Sequence, residues 1–84
     1  MEFEDLNNLE KAKQKKEFAI LMGDRIRVIR KACGFTQEKL ADKAGYDSAY
    51  IGHLETGRYS PSVYTVWRLA KAMDVPLSEL LHKL

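Results

Sequence analysis

Cysteine and proline, the residues that staple and interrupt small proteins, are scarce in this sequence. One cysteine and two prolines occur among its 84 residues. A single cysteine excludes an internal disulfide framework and fits a reducing compartment such as the cytosol. A chain this short, without staples, needs a compact and mostly helical core to be stable, so we expect one domain of that kind.

Patterns typical of membrane, secreted and catalytic proteins are also missing. No apolar run approaches the roughly 18 residues of a membrane span, and the charged start has no signal-peptide pattern. There is no glycine-rich phosphate loop, no pair of carboxylates tied to a pocket, and no Cys and His pair at metal-ligand spacing. We therefore expect a cytoplasmic protein that is not an enzyme and holds neither cofactor nor metal.

The net charge of +2 is too small to identify a partner, but its distribution is informative. Residues 1–22 sum to −1 and residues 47–84 to 0, whereas residues 23–46 carry six basic and three acidic side chains, or +3. This surplus favours a polyanion near the centre of the chain, although a solvated basic face would give the same pattern.

The stretch at residues 36–57, TQEKLADKAGYDSAYIGHLETG, predicts two short helices joined by a turn. Thr36 is suited to cap the first helix, and Gly45 is suited to the turn of positive φ that follows it. Asp47 is suited to cap the second helix, which Gly57 ends. The helix-turn-helix is such a pair, and its second helix enters the DNA major groove while the first crosses the phosphate backbone.

Small side chains make up the face of the second helix that points outward. Ile51 and Leu54, three residues apart, face inward. The residues left outward are Ser48, Ala49, Gly52, His53 and Thr56. Because three of these are very small, the helix can approach a partner closely.

A set of positions at fixed spacing carries a family resemblance: Gln37, Glu38, Leu40, Ala41, Ala44, Gly45, Tyr50, Ile51, Glu55, Gly57, Pro61 and Ser62. With these residues the chain resembles the phage-repressor and Cro type of helix-turn-helix domain, also called the xenobiotic-response-element family, over about residues 21–84. The resemblance implies an all-α, repressor-like DNA-binding bundle of five helices. It also implies a transcriptional regulator that acts as a homodimer on a (pseudo)palindromic operator.

Apolar stripes predict the other three helices of this bundle, within residues 18–84. The first helix, which Gly34 stops, has the stripe Phe18, Met22, Ile26, Ile29 and Cys33. The fourth helix, capped by Ser62, has the inward stripe Val63, Val66, Leu69, Ala70 and Met73. The short fifth helix has the apolar side Leu77, Leu80, Leu81 and Leu84. Its place on a stripe makes Cys33 a buried structural thiol rather than a nucleophile or metal ligand.

Residues 1–17 form a polar N-terminal arm outside the DNA-binding domain of residues 18–84. The arm contains a lysine-rich run, and Phe3, Leu6 and Leu9 recur at three-residue spacing. A short isolated helix is marginal in water. The arm is therefore either a frayed helix or partly disordered tail, or a helix that packs on the domain or binds a partner protein.

The resemblance assigns DNA contacts to individual residues. Gln37, at the start of the second helix, matches the family's phosphate-binding glutamine, and Thr56 and Arg58 are placed to hold phosphates as well. The base-reading positions fall on Ser48, Ala49, His53 and, flanking them, Tyr50. A serine can donate or accept a hydrogen bond, an alanine can touch a thymine methyl, and a histidine can bond a purine N7.

Two structural contacts are expected as well. The resemblance implies that Arg30 pairs with Glu55, and a bidentate arginine is the best partner for an inward-facing carboxylate; the alternative is a solvated Glu55. A dimer interface is expected in the C-terminal part of the chain, where apolar surface exceeds what one small core absorbs. Its residues are Trp67, Val75, Leu77, Leu81 and Leu84. The alternative for Trp67 is a place in the core.

Phage-type repressors, restriction-modification controller proteins and antitoxins share the domain that this chain resembles. The run DSAYI at residues 47–51 is similar to the controllers, which commonly have longer polar or basic residues in place of Ser48 and Ala49. We expect a regulator that binds double-stranded DNA and is controlled by its own concentration, since no second domain is present to bind an effector. The alternative is an antitoxin or adaptor whose main role is to bind a partner protein through the N-terminal arm.

Overall fold

Five α-helices and no strand make up residues 7–84, the part of the chain that the computed structural model describes. The helices are α1 (Asn8–Ala32), α2 (Gln37–Ala44), α3 (Ser48–Glu55), α4 (Val63–Met73) and α5 (Leu77–Leu81). The predicted all-α class and bundle of five helices are thus confirmed. Within residues 7–84, no helix is both long enough and apolar enough to span a membrane. Phe3 and Leu6 of the expected arm lie outside the described residues.

Capping side chains explain where α2 and α4 begin. Thr36 Oγ1 accepts a hydrogen bond from the backbone N–H of Lys39 at 3.0 Å, as predicted for the start of α2. Ser62 Oγ likewise accepts one from the backbone N–H of Thr65 at 3.1 Å, as predicted for α4. Asp47 occupies the N-cap position of α3, but its side chain makes no capping hydrogen bond, so that part of the prediction is wrong.

A single core joins the helices, whose main contacts follow a closed ring from α1 to α3, α2, α4, α5 and back to α1. Complete burial of one Leu, Ile, Val or Met side chain stabilises a fold by about 1.5–3 kcal/mol. Each helix contributes at least one such side chain, so all five are anchored in the same core. The largest fully buried side chains are Met22, Ile26, Leu40, Ile51, Leu54, Val66, Leu69 and Leu80.

Two residues of the predicted apolar stripes are exposed instead of buried. Phe18 is 37% exposed and Val63 is 67% exposed. One turn before Met22, the buried residue of α1 is Ala19. Phe18, one position earlier, is rotated around the helix axis away from the core. In α4 the buried side includes Thr65 and Val66 and continues through the buried residues one turn later. One turn before Thr65 and Val66, the same side of the helix reaches residues 61–62 and not Val63.

The N-terminal arm and the first core helix are one continuous helix. α1 runs from Asn8 to Ala32 without a break at residues 17–18, and Asn7 caps it by accepting a hydrogen bond from the backbone N–H of Glu10 at 2.8 Å. Residues 8–17 are therefore helical and not a disordered tail. The division into an arm and a DNA-binding domain, and a partner protein for the arm, stay predictions.

The backbones of α1 and α3 come unusually close at Gly23. A Cβ added at this position would lie 2.1 Å from the backbone oxygen of Leu54 and 2.9 Å from that of Glu55. Gly23 is itself buried in the middle of α1. The absence of a side chain therefore sets the distance between these two helices.

Gly23→Ala should destabilise the protein despite a gain in helix propensity. Replacing glycine by alanine inside a helix stabilises by about 1 kcal/mol, but a Cβ against fixed backbone atoms forces the helices apart, and overpacking costs about 1–3 kcal/mol or more. We expect a net loss of roughly 2 kcal/mol in the free energy of unfolding, measured by urea denaturation.

Gly52→Ala in α3 is the matched control for this substitution. A Cβ at Gly52 would meet nothing closer than Gln37 Oε1 at 3.6 Å, an ordinary contact distance. This variant should be as stable as the parent or slightly more stable. Equal stability changes in the two variants would contradict the close approach of α1 and α3.

Candidate nucleic-acid interface

An arginine from α4 fixes the turn between α2 and α3. Gly45 closes α2 in the left-handed region at φ 79°, as predicted. Arg68 Nε donates to the backbone oxygen of Ala44 at 3.1 Å, and Arg68 Nη2 donates to the same oxygen. This carbonyl is one of those at the end of a helix that lack an intrahelical partner. α4 therefore holds the end of α2 and the start of the turn.

Arg68 is a structural residue that sequence reasoning missed. Its Nη1 donates to Tyr64 Oη at 3.1 Å, and its guanidinium lies 5.2 Å from the ring centroid of Tyr46. The hydrogen bond to Tyr64 raises the pKa of Arg68, which keeps the side chain charged. The spacing of four residues places Tyr64 and Arg68 on one face of α4, but it does not reveal which carbonyl the arginine reaches.

A hydrogen-bond network at Glu55 joins α1, α2 and α3. Arg30 donates to this carboxylate twice, from Nε to Oε2 at 2.6 Å and from Nη2 to Oε1 at 2.9 Å. Arg30 Nη1 also donates to the backbone oxygen of Phe35 at 2.8 Å. Gln37 Nε2 donates to Glu55 Oε1 at 3.1 Å. The structure thus brings Arg30 and Glu55 together and adds Gln37, a contact that no pattern in the sequence predicted.

Burial makes this network costly to break. The side chains of Arg30 and Glu55 are 9% and 2% exposed, whereas those of the surface pair Arg27 and Asp24 are 45% and 58% exposed. The hydrogen bond to Glu55 raises the pKa of Arg30 and outweighs the opposing effect of burial, so the arginine is charged at every ordinary pH. Removing either partner would leave the other charge buried and unpaired.

The face of α3 that the sequence assigns to DNA bases is partly open to solvent. Ala49 is exposed, and Ser48 and His53 are half-buried. Gly52 lies beneath the side chain of Gln37, at ordinary contact distance. The backbone of α3 is therefore covered only by short side chains over most of this face.

Tyrosine rings line one side of this face. The ring centroids of Tyr46 and Tyr50 are 5.1 Å apart, and those of Tyr50 and Tyr59 are 6.2 Å apart. Tyr50 also packs against the hydrophobic core, which sets it apart from the other predicted base-reading residues. Tyr59, which is 45% exposed and was not predicted, meets the His53 ring edge-on at 5.5 Å. This contact orients the His53 imidazole.

The predicted phosphate-binding residues lie at two ends of the helix pair. Gln37 is the first residue of α2, where one of its two amide N–H groups is used by Glu55 and the other is left for an anion. Thr56 follows α3, and its Oγ1 donates to the backbone oxygen of His53 at 3.2 Å. Arg58 is exposed, with its guanidinium 5.8 Å from the Tyr59 ring centroid.

The residues predicted for a dimer interface lie on α4, on α5, in the segment between them and, for Leu84, just beyond α5. Trp67, Val75 and Leu77 line one groove between α4 and α5. Trp67 is 44% exposed and stacks on Tyr64 at a centroid distance of 6.2 Å, so it is not a core residue. Leu81, which is 37% exposed, ends α5, and Leu84, which is 41% exposed, lies beyond that helix.

Cys33, expected to be buried, is only half-buried, because it lies at the end of α1, where it packs against the edge of the core. Its Sγ lies 3.9 Å from the backbone oxygen of Met73. Across the described residues 7–84, no group of three or more His, Cys, Asp or Glu side chains is arranged to hold a metal ion.

Comparison with protein families agrees with the geometry of the helix pair. The helix-turn-helix family model HTH_3 matches residues 26–80. The chain belongs to the HTH_3 helix-turn-helix family. The matched range contains the whole of α2, α3 and α4, and it includes the network at Glu55. The N-terminal part of α1 lies outside it.

Individual HTH_3 relatives extend the comparison. The uncharacterized HTH-type transcriptional regulator y4dJ of Sinorhizobium fredii is 36% identical over 61 residues, which are 73% of this chain and 79% of that protein. The immunity repressor protein of Bacillus phage phi105 is 37% identical over 60 residues, which are 71% of this chain and 42% of the repressor. The resemblance to the phage-repressor type is thus confirmed.

A solved structure shares the HTH_3 fold at similar identity. The restriction-modification controller protein C.AhdI from Aeromonas hydrophila superposes with a TM-score of 0.71 at 37% sequence identity. The superposition covers 74% of this chain and 94% of the controller. The five-helix bundle is therefore the fold of known HTH proteins.

Glu55→Ala should lower the free energy of unfolding by several times the ~0.5 kcal/mol typical of an exposed ion pair. We expect a loss of about 3–5 kcal/mol, because Arg30 would remain buried without its carboxylate. Thermal and urea unfolding measure this loss. Asp24→Ala, which removes the exposed partner of Arg27, is the control and should cost less than about 1 kcal/mol.

A double variant distinguishes the loss of the Arg30–Glu55 ion pair from other effects of Glu55→Ala. Arg30→Met combined with Glu55→Leu removes both charges, so it should be more stable than Glu55→Ala alone. An unchanged melting temperature in Glu55→Ala would show that the pair does not stabilise the fold.

Proposed function

We propose that this HTH_3 protein, a transcriptional regulator by family, binds a (pseudo)palindromic operator as a homodimer with α3 in the major groove of each half-site. Its site of action would be the cytoplasm. The single observation that carries the proposal is the α3 face, where short side chains leave the helix backbone accessible between Gln37 on one side and Arg58 on the other. Close approach to base edges needs such a face, and phosphates flank those edges.

Direct reading of bases by α3 would be modest. Ala49 is suited to a thymine methyl, Ser48 to a hydrogen bond of either sense, and His53 to a purine N7. The helix has no arginine or glutamine that could grip a base bidentately. Part of the specificity should therefore come from the shape and bendability of the operator.

Phosphate contacts would set the position of α3 on the duplex. Gln37 offers an amide N–H next to the N-terminus of α2, where free backbone N–H groups favour an anion. Arg58 offers a guanidinium just beyond α3. The Thr56 hydroxyl donates to the backbone oxygen of His53 and would have to turn from it to donate to a phosphate. Contacts of this kind fix register without reading sequence.

The restriction-modification controller supports the proposed mode of action over a larger share of its own length than the phage repressor does. The superposition covers 94% of the controller, whereas the alignment covers 42% of the repressor. We therefore infer a controller-like role, in which operator occupancy follows the concentration of the regulator itself. Dimerisation would make that dependence steeper, because two protomers bind each operator.

His53→Ala and Arg58→Ala should affect DNA binding in different ways. Loss of a base contact should change the preference among operators by about 1–3 kcal/mol. Loss of a phosphate contact should weaken binding to all sequences alike and lower the slope of log K against log salt by about one for each protomer bound. Salt titrations on a set of operator variants distinguish these effects. If His53→Ala and Ser48→Ala both left the preference unchanged, α3 would not be the base-reading helix.

A dimer is required by the amount of sequence that one short helix can read. α3 has eight residues, which contact too few base pairs for selective binding, and two half-sites about 34 Å apart double the contact. The groove that contains Trp67, Val75 and Leu77 is the apolar surface best suited to join two protomers. Leu81 and Leu84 add exposed apolar area beside it.

Trp67→Glu should therefore shift the protein toward monomer in sedimentation experiments. Val28→Glu is the control, because Val28 is 50% exposed on α1 and is not among the residues that line the groove. Binding-site selection from random duplexes should return one motif in two inverted copies. A parent protein that stays monomeric at high micromolar concentration and selects only single half-sites would contradict the proposed dimer.

A further inference from the structure

A shallow groove lies between the N-terminal part of α1 and the loop that follows α3. Ala12, Lys15 and Lys16 line its α1 side. Gly57, Arg58 and Ser60 line its loop side. The α1 side lies upstream of residues 26–80, the range matched by the family model.

Positive charge is concentrated at this groove. Lys15, Lys16 and Arg58 contribute three cations, and no carboxylate is among the described side chains that line it. Lys15 and Arg58 are exposed, and Ala12, which lines the groove with them, has a short side chain. Ser60 adds a hydroxyl that can donate a hydrogen bond. The groove is therefore suited to an anionic oxygen.

The two sides of the groove are held in a fixed relation. Lys16 Nζ donates to the backbone oxygen of Gly57 at 2.8 Å. A Cβ at Gly57 would lie 2.8 Å from Ile20 Cγ1 and 3.0 Å from Ile20 Cα, so the loop rests directly on α1. Because α1 is continuous, this contact also fixes the direction in which residues 8–19 leave the domain. Lys15 thus keeps a constant position relative to Arg58 and α3.

We propose that this groove, through Lys15, binds a backbone phosphate of the operator next to the one that Arg58 would hold, so that α1 enlarges the DNA contact of each protomer. Charge complementarity selects this occupant, because the phosphate backbone is the anion that Arg58 would already meet when α3 enters the major groove. A lysine ammonium serves such a site as a point charge. The inference rests on the proposed function.

Lys15→Gln tests the proposal on the full chain. The slope of log K against log salt should fall by about 0.9 for each protomer bound, while the order of preference among operators stays the same. Lys15→Arg should keep the parent slope. Lys13→Gln is the matched control, since it removes the same charge from the same helix but lies two residues away, about 200° around the axis.

Phosphate-ethylation interference gives a second readout on the operator obtained by binding-site selection. One phosphate in each half-site should block binding of the parent when ethylated but have no effect on Lys15→Gln. If the parent binds its operator and Lys15→Gln matches Lys13→Gln in both assays, the groove does not contact DNA and the inference is wrong. If the parent selects no DNA at all, the proposed function fails as well.

Discussion

The paired hydrogen bonds between Arg30 and Glu55 determine the position and orientation of α3. A helix of eight residues is marginal in water on its own, so its orientation has to come from tertiary contacts. Glu55 is the last residue of α3, and the same carboxylate accepts from Gln37 at the start of α2. Any rotation of α3 that separated the pair would leave two buried charges without partners. The resulting loss of stability restricts α3 to small deviations from this orientation.

A second arginine constrains the helix pair from the opposite end. Arg68 of α4 donates to the Ala44 carbonyl where α2 gives way to the turn. The helix-turn-helix is therefore bracketed, with one guanidinium at the turn and the other at the end of α3. Gly23 adds a steric limit, since the backbones of α1 and α3 are already in contact there. Short side chains can reach the bases only if the helix that carries them is held in position, because they are too short to compensate for a displaced helix.

Periodicity and turn chemistry predicted most of the fold, while distances between helices could not be predicted. The Thr36 and Ser62 caps and the Gly45 turn depend on local backbone chemistry, which a sequence displays directly. Phe18 and Val63 were misplaced because neighbouring positions on a helix differ by only 100°, so the edge of a stripe is ambiguous. The Arg68 contact and the Gln37 bond to Glu55 join separate helices, and no pattern within one helix encodes them. Arg30 and Glu55 were found through the family resemblance.

The side chains proposed to read the DNA sequence differ from those proposed to supply binding affinity. In the proposed complex, α3 would present short side chains and one imidazole to the bases, which would limit how much discrimination direct hydrogen bonds can supply. With a net charge of +2, the protein as a whole attracts DNA only weakly at long range. In the proposed complex, binding would therefore depend on close contacts with individual phosphates, and the cations beside α3 would be more important than the total charge. Because those cations sit on α1 and on the loop after α3, the surface that strengthens binding could change without altering the surface that reads the operator.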